Sequence, residues 1–237
     1  MKNIFLCRRT LILITSIYVC AEIFLGIFLQ IASGRAVASA SFGAIIFACL
    51  FCLVSMEGSC EYAATQIALI CTACADYFLV WSSPIVQLPA MSFFLVAQLA
   101  YAFRLYILAG ERERLAQIIS RATLSAIIVI VTVAVLGEST DALAVISMLY
   151  YVNLILNAVF AFVSFKSRKL LAIGFLLFIL CDTVIGLDMI NEYLPISEDA
   201  YLYKIIRPGF NLAWVFYLPS QVLLSLSMMP KKFSKSK

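Results

Sequence analysis

Two aspartates stand in stretches that are otherwise apolar. Asp76 closes CTACAD, residues 71–76, and Asp182 interrupts GFLLFILCDTVIGLD, residues 174–188. An ionised group at membrane depth costs about 3 kcal/mol even on the milder scales, and it normally faces a bundle interior. Paired carboxyls have an obvious use there. The protonated one donates, and the ionised one accepts a proton from water or steadies a cation. A carboxyl withdrawn from water holds its proton more firmly, and a second carboxyl nearby reinforces this. Such a pair can run acid–base chemistry near neutral pH without histidine, and this chain has none.

Other polar side chains share their depth. Gln98 and Tyr101 lie three apart in FFLVAQLAYAFRLY, and Tyr217 and Gln221 lie four apart in WVFYLPSQVLLSLS. At those spacings each pair occupies one helix face. Tyr150, Tyr151, Asn153, Asn157 and Glu22 add to the set. Counted by helical rise, most fall within about 10 Å of one another in depth. A central polar pocket in a helix bundle is the economical reading. Its plain alternative is inter-helix hydrogen bonding with no chemistry attached.

The elements that must position these groups follow from composition. The 237 residues are 64% hydrophobic and 13% charged, with mean hydropathy +1.05. Soluble domains are about one quarter charged, so most of this surface must face lipid. Runs of about 20 apolar residues, broken by charges and Pro, predict an all-α bundle of eight transmembrane helices. They span 10–32, 36–56, 62–81, 87–108, 117–136, 141–164, 169–190 and 208–229, in a single domain covering 1–237. The basic, apolar N-terminus resembles a signal peptide, but its apolar run is too long for one, so it reads as the first span.

Charge orients the bundle. With the N-terminus inside, 14 of the 17 basic residues fall on the cytoplasmic side: Lys2, Arg8, Arg9, Arg104, Arg112, Arg114, Arg121, Lys166, Arg168, Lys169, Lys231, Lys232, Lys235 and Lys237. Arg35, Lys204 and Arg207 remain on the other face, with Glu138, Asp141, Glu192, Glu198 and Asp199. This is a strong positive-inside pattern. It predicts a multi-pass protein of the cell membrane with both termini cytoplasmic.

Cys49-x-x-Cys52 and Cys71-x-x-Cys74 have zinc-ribbon spacing. They sit in apolar helices rather than on knuckle turns, and a Zn(Cys)4 centre would carry negative charge into lipid. They read as small hydrophobes, as do Cys7, Cys20, Cys60 and Cys181. The expectation is no metal and no cofactor.

One ordered set of residues has a family likeness. Asp76 follows Ala75; Phe93, Gln98 and Tyr101 form F-x4-Q-x2-Y; Gly174, Phe178 and Asp182 form G-x3-F-x3-D; Tyr217 and Gln221 form Y-x3-Q. In order and position this resembles the YhhN-like membrane proteins, bacterial relatives of lysoplasmalogenase, over nearly the whole chain. The chain differs in having Ala75 where the family usually has Gly, Cys181 where it has Ser, and Gln98 where it has His. The Lys-Pro that tends to open helix 3 is also absent. The resemblance implies hydrolysis of the vinyl ether of a lysoplasmalogen to a fatty aldehyde and a glycerophospho-base.

The residues fit that chemistry. Protonation of the outer vinylic carbon gives an oxocarbenium ion, to which water adds. Asp182, set deeper in its helix, is assigned the acid role, and Asp76 orients water and stabilises the cation; the exchanged assignment is chemically equivalent. Gln98, Tyr101, Tyr217 and Gln221 would hold water and the glycerol backbone, with the alkenyl chain between helices. The expected partner is a membrane lipid or lysolipid, not nucleic acid. A non-catalytic lipid-binding homologue and, further off, a carboxylate-relay transporter are the alternatives.

Overall fold

The computed structural model describes residues 8–54, 60–190 and 209–229. Lys2, Cys7, Lys231, Lys232, Lys235 and Lys237 lie outside these, as do Glu192, Glu198, Asp199, Lys204, Arg207 and Pro208.

Apolar runs without water-bonded backbone satisfy their own N–H and C=O groups by coiling. The described residues accordingly form α1 (Arg8–Ile31), α2 (Arg35–Val54), α3 (Cys60–Asp76), α4 (Gln87–Leu108), α5 (Glu111–Leu136), α6 (Ala142–Val163), α7 (Phe165–Ile190) and α8 (Leu212–Leu226). A π-helical turn, Tyr77–Trp81, prolongs α3. Seven of these helices are long and apolar enough to cross a membrane. The apolar α8 has 15 residues, which is about 22 Å at the helical rise.

The predicted bounds hold closely for α4 and differ most where charge or a cap decides. α5 starts at Glu111 rather than 117, because ERERLAQ is charged yet helical, with Glu111 and Glu113 at the positive end of the helix dipole. α7 starts at Phe165, but its backbone leaves helical geometry at Arg168 (φ −130°, ψ 29°), just before the predicted start at 169. α8 begins four residues later than predicted. Gly209 has φ +83°, and the Asn211 side chain caps the helix by accepting from the Trp214 amide at 3.4 Å.

α3 packs on α4, α4 on α6, α6 on α7 and α7 on α8; α1 and α2 lie against each other and α8, and α2 also against α3. α5 leans mainly on α6. Its outward residues show why: Ile130 is 67% exposed and Val135 75%, a surface suited to lipid. The tightest approach described for a glycine is at Gly174, where an added Cβ would meet Leu224 of α8 at 3.0 Å.

Two arginines counted among the cytoplasmic-side charges lock helix ends together inside the fold. Arg104, 2% exposed, bonds Glu61 at 3.1 Å, the Ser227 hydroxyl at 2.6 Å and the Ser227 carbonyl at 2.8 Å. Arg168 bonds Glu113 at 2.7 Å and the carbonyls of Leu108 at 2.9 Å and Phe160 at 3.3 Å. Helix C-termini leave such carbonyls unsatisfied, and basic side chains serve them.

Candidate active site

Asp76 is the last residue of α3, immediately before the π-helical turn. It is 3% exposed. The Tyr217 hydroxyl, from α8, donates to its Oδ2 at 2.6 Å. Asp182, half-buried on α7, receives the Tyr150 hydroxyl of α6 on Oδ2. Each carboxyl is thus held by a tyrosine from a different helix.

Phe178 stands between the two tyrosines. Its ring centroid is 5.4 Å from that of Tyr217 and 6.4 Å from that of Tyr150. Phe94 of α4 closes the cluster against Tyr150 at 5.5 Å and Phe178 at 6.2 Å. Through Phe178, whose ring neighbours both tyrosines, the two carboxyl–tyrosine pairs adjoin in one cluster. The helical spacing explains the assembly. Gly174, Phe178 and Asp182 recur every four residues and so share a face, and Gly174 lets α8 approach that face. Asp76 is the more enclosed of the two aspartates, with Tyr217 of α8 bonded to it, while Asp182 is half-buried.

The other predicted site residues lie elsewhere in the core. Gln98 accepts from the Asn157 amide on its Oε1 and on its backbone carbonyl, each at 2.9 Å. Asn157 and Asn153 in turn accept from Arg121 at 2.7 and 3.0 Å. The Gln98 amide nitrogen, the Tyr101 hydroxyl and both polar atoms of Gln221 are buried without a protein partner among the described residues. None of the three side chains bonds either carboxyl there. Tyr101 packs edge-on to Phe175 at 5.2 Å. Glu22 is buried, and neither of its oxygens has a hydrogen-bond partner among the described residues.

Two participants escaped the sequence reading. Tyr150 was noted as polar and given no role; its signal was that Tyr150, Asn153 and Asn157 stand at i, i+3 and i+7, one face of α6. Arg121 enters the sequence reading only as a cytoplasmic-side charge near the start of a helix; it sits ten residues inside α5 and reaches α6. The cysteines behave as packing groups with a weak donor: the Cys49 thiol donates to the Leu69 carbonyl at 3.2 Å and Cys52 to Ser225 at 3.9 Å.

A cavity of about 560 Å³ opens among α1, α7 and α8, with Gln30, Ile185, Asp188 and Asn211 on its wall. Neither Asp76 nor Asp182 lines it, although Ile185 is within one turn of Asp182. The arrangement offers two carboxyls, each with one oxygen fixed by a phenol, in an apolar surround that keeps bulk water away. That can transfer a proton to a carbon or oxygen and accept one from water.

Compared with protein-family models, residues 34–228 match the YhhN family. No curated protein and no solved structure matches the chain.

Proposed function

The chain belongs to the YhhN family, and from that footing we propose that it is a lysoplasmalogenase-like membrane hydrolase. It takes a lysolipid from the bilayer and cleaves its vinyl ether, giving a fatty aldehyde and a glycerophospho-base. The observation that carries this reading is the paired Asp76–Tyr217 and Asp182–Tyr150 contacts around Phe178.

One carboxyl, protonated, delivers its proton to the outer vinylic carbon. The enol ether's electrons collapse to an oxocarbenium ion at the inner carbon. The second carboxylate faces that cation and takes a proton from the water that adds to it. The hemiacetal so formed breaks down to aldehyde and alcohol, and the proton returns to the first carboxyl. Each tyrosine fixes one oxygen of its aspartate, leaving the other to react; a charge-assisted bond of this kind is directional and strong. No cofactor or metal enters.

In this reading the protein is a multi-pass component of the cell membrane, with eight crossings and both termini cytoplasmic, as the positive-inside pattern supports. The alkenyl chain lies between helices in continuity with the bilayer.

The test is aldehyde release from lysoplasmalogen by purified protein, beside Asp76→Asn and Asp182→Asn. Wild type releases aldehyde and each variant loses at least about 100-fold, the lower range for a removed acid–base group. Unchanged release in both variants refutes the mechanism. No release by wild type favours the second reading, a lipid-binding homologue without chemistry. That reading draws on Gln98, which cannot titrate and is engaged by Asn157.

A further inference from the structure

Much of α1 is exposed and apolar, as at Ile17, Ile23 and Phe24. Its inward stripe is Leu11, Tyr18, Glu22 and Leu29, all buried. An apolar side chain would pack on that stripe at no cost, yet Glu22 places a carboxyl there at 2% exposure. The ion pairs found among the described residues do not include it, and neither oxygen has a hydrogen-bond partner among them. A carboxyl taken out of water with nothing to bond is among the costliest groups a fold can carry.

Contacts between α1 and α8 fix what stands level with it. The Tyr18 and Ser225 hydroxyls bond at 2.9 Å, and an added Cβ on Gly26 would meet Leu218 at 3.1 Å. The two helices therefore run antiparallel. Glu22, one turn from Tyr18 toward Gly26, is level with Gln221, one turn from Ser225 toward Leu218. Gln221 is fully buried, and neither its amide nitrogen nor its oxygen has a partner among the described residues. On α4, Arg104 meets Ser227. Six residues back from that contact stand Gln98 on α4 and Gln221 on α8, so the unpartnered Gln98 amide nitrogen belongs to the same layer.

The layer thus gathers unpaired acceptors on Glu22 and Gln221 and unpaired donors on Gln221 and Gln98. An anion is repelled by the carboxyl, and among the described residues no group of three acidic or thiol side chains gathers to hold a metal. Water both donates and accepts, and a buried water makes about three hydrogen bonds to polar groups left unsatisfied by the protein. The layer also adjoins the carboxyl site. Gln221 is four residues from Tyr217 on one face of α8, about 6 Å of helical rise, and Tyr217 donates to Asp76.

We propose that Glu22 and Gln221 hold a buried water site between α1 and α8, one turn from the Tyr217–Asp76 pair, and that this site supplies the water consumed at the carboxyls. The supply role rests on the function proposed above; the water site rests on the geometry alone. Hydrolysis uses one water per turnover, and the apolar surround of the carboxyl cluster keeps bulk water away. Glu22 is a positioning residue in this scheme: it acts through the water it holds, without touching the substrate, and Gln221 passes that water along α8 toward Asp76.

The test is X-ray radiolytic labelling of the detergent-purified full chain, in which protein-bound water becomes hydroxyl radical and oxidises adjacent side chains. Tyr18 is the reporter: it is 1% exposed and one turn from Glu22, so radicals from bulk solvent do not reach it. Wild type should oxidise Tyr18. Glu22→Leu and Gln221→Leu should each lower that oxidation several-fold, with the exposed Tyr77 labelled equally in all three proteins. Tyr18 unlabelled in wild type, or labelled equally in wild type and both variants, overturns the water site. Gln221→Leu removes no hydrogen bond found among the described residues, so it decides the matter should Glu22→Leu not fold. Aldehyde release then tests the supply role. Losing one water-holding hydrogen bond, about 1.5 kcal/mol, should lower kcat about tenfold in Glu22→Leu with KM unchanged. Glu22→Gln, which still bonds water, should restore most of it. An unchanged kcat in Glu22→Leu overturns the supply role, as does a loss that Glu22→Gln fails to rescue. Labelled Tyr18 with no aldehyde release by wild type upholds the water site and sinks the hydrolase reading.

Discussion

Asp76 and Asp182 differ in what surrounds them, and that difference sets what each substitution does. An asparagine at either position can still accept the tyrosine's hydrogen bond, so Asp→Asn removes the ionisable proton while keeping the contact. The tyrosines give the complementary test. Tyr217→Phe and Tyr150→Phe keep the ring packing on Phe178 and delete only the donor. A hydrogen bond to a charged group contributes about 1.5–3 kcal/mol, so each variant is expected to lower kcat by roughly 10- to 100-fold. Steady-state aldehyde release measures this; a loss confined to KM in both would place the tyrosines in binding rather than in orienting the carboxyls. Gln98 belongs to another network, and its nearest engaged partner is Asn157 rather than an aspartate.

At the scale of elements, the site depends on α7 and α8 lying close. Gly174→Val places branched atoms where a single Cβ already meets Leu224 at 3.0 Å. Overpacking of this kind typically costs about 1–3 kcal/mol, read as a drop of several degrees in the melting temperature of the detergent-solubilised protein. Gly186→Val is the control on the same helix, since a Cβ there meets nothing within 4 Å; equal losses in both would mean that close approach is not what Gly174 provides. Arg168 is the other fixture of α7. Arg168→Ala leaves Glu113 unpaired and frees the Leu108 and Phe160 carbonyls, and breaking a buried pair costs about 3–5 kcal/mol. Thermal unfolding should show a clearly larger loss than for Lys169→Ala next to it. The helix positions themselves were legible from apolar runs. The kink at Arg168 and the polar start of α5 were not, because both are decided by partners on other helices.

For the whole molecule, the positive-inside pattern predicts a cytoplasmic C-terminus. A C-terminal green fluorescent protein fusion should fluoresce and a C-terminal alkaline phosphatase fusion should stay inactive. Active phosphatase would mean an odd number of crossings, with α8 failing to span. The folded chain also separates two polar regions within one apolar bundle. The carboxyl–tyrosine cluster lies among α3, α6, α7 and α8, and the Arg121 network joins α5 to α6 and, through Asn157, to Gln98 on α4. Both are enclosed by helices whose outer faces are apolar, and α6 contributes to both, through Tyr150 to one and through Asn153 and Asn157 to the other.

The sequence by itself determined the membrane class, the helix positions and the presence of two costly aspartates, because hydropathy, charge and the expense of burying a carboxylate are properties of residue types along a chain. Tertiary structure decided who answers them. That Tyr217 and Tyr150 hold the carboxyls, that Asp76 is the more buried, and that Arg121 turns inward depend on helix rotation and packing. No local spacing encodes contacts between residues as far apart as Asp76 and Tyr217.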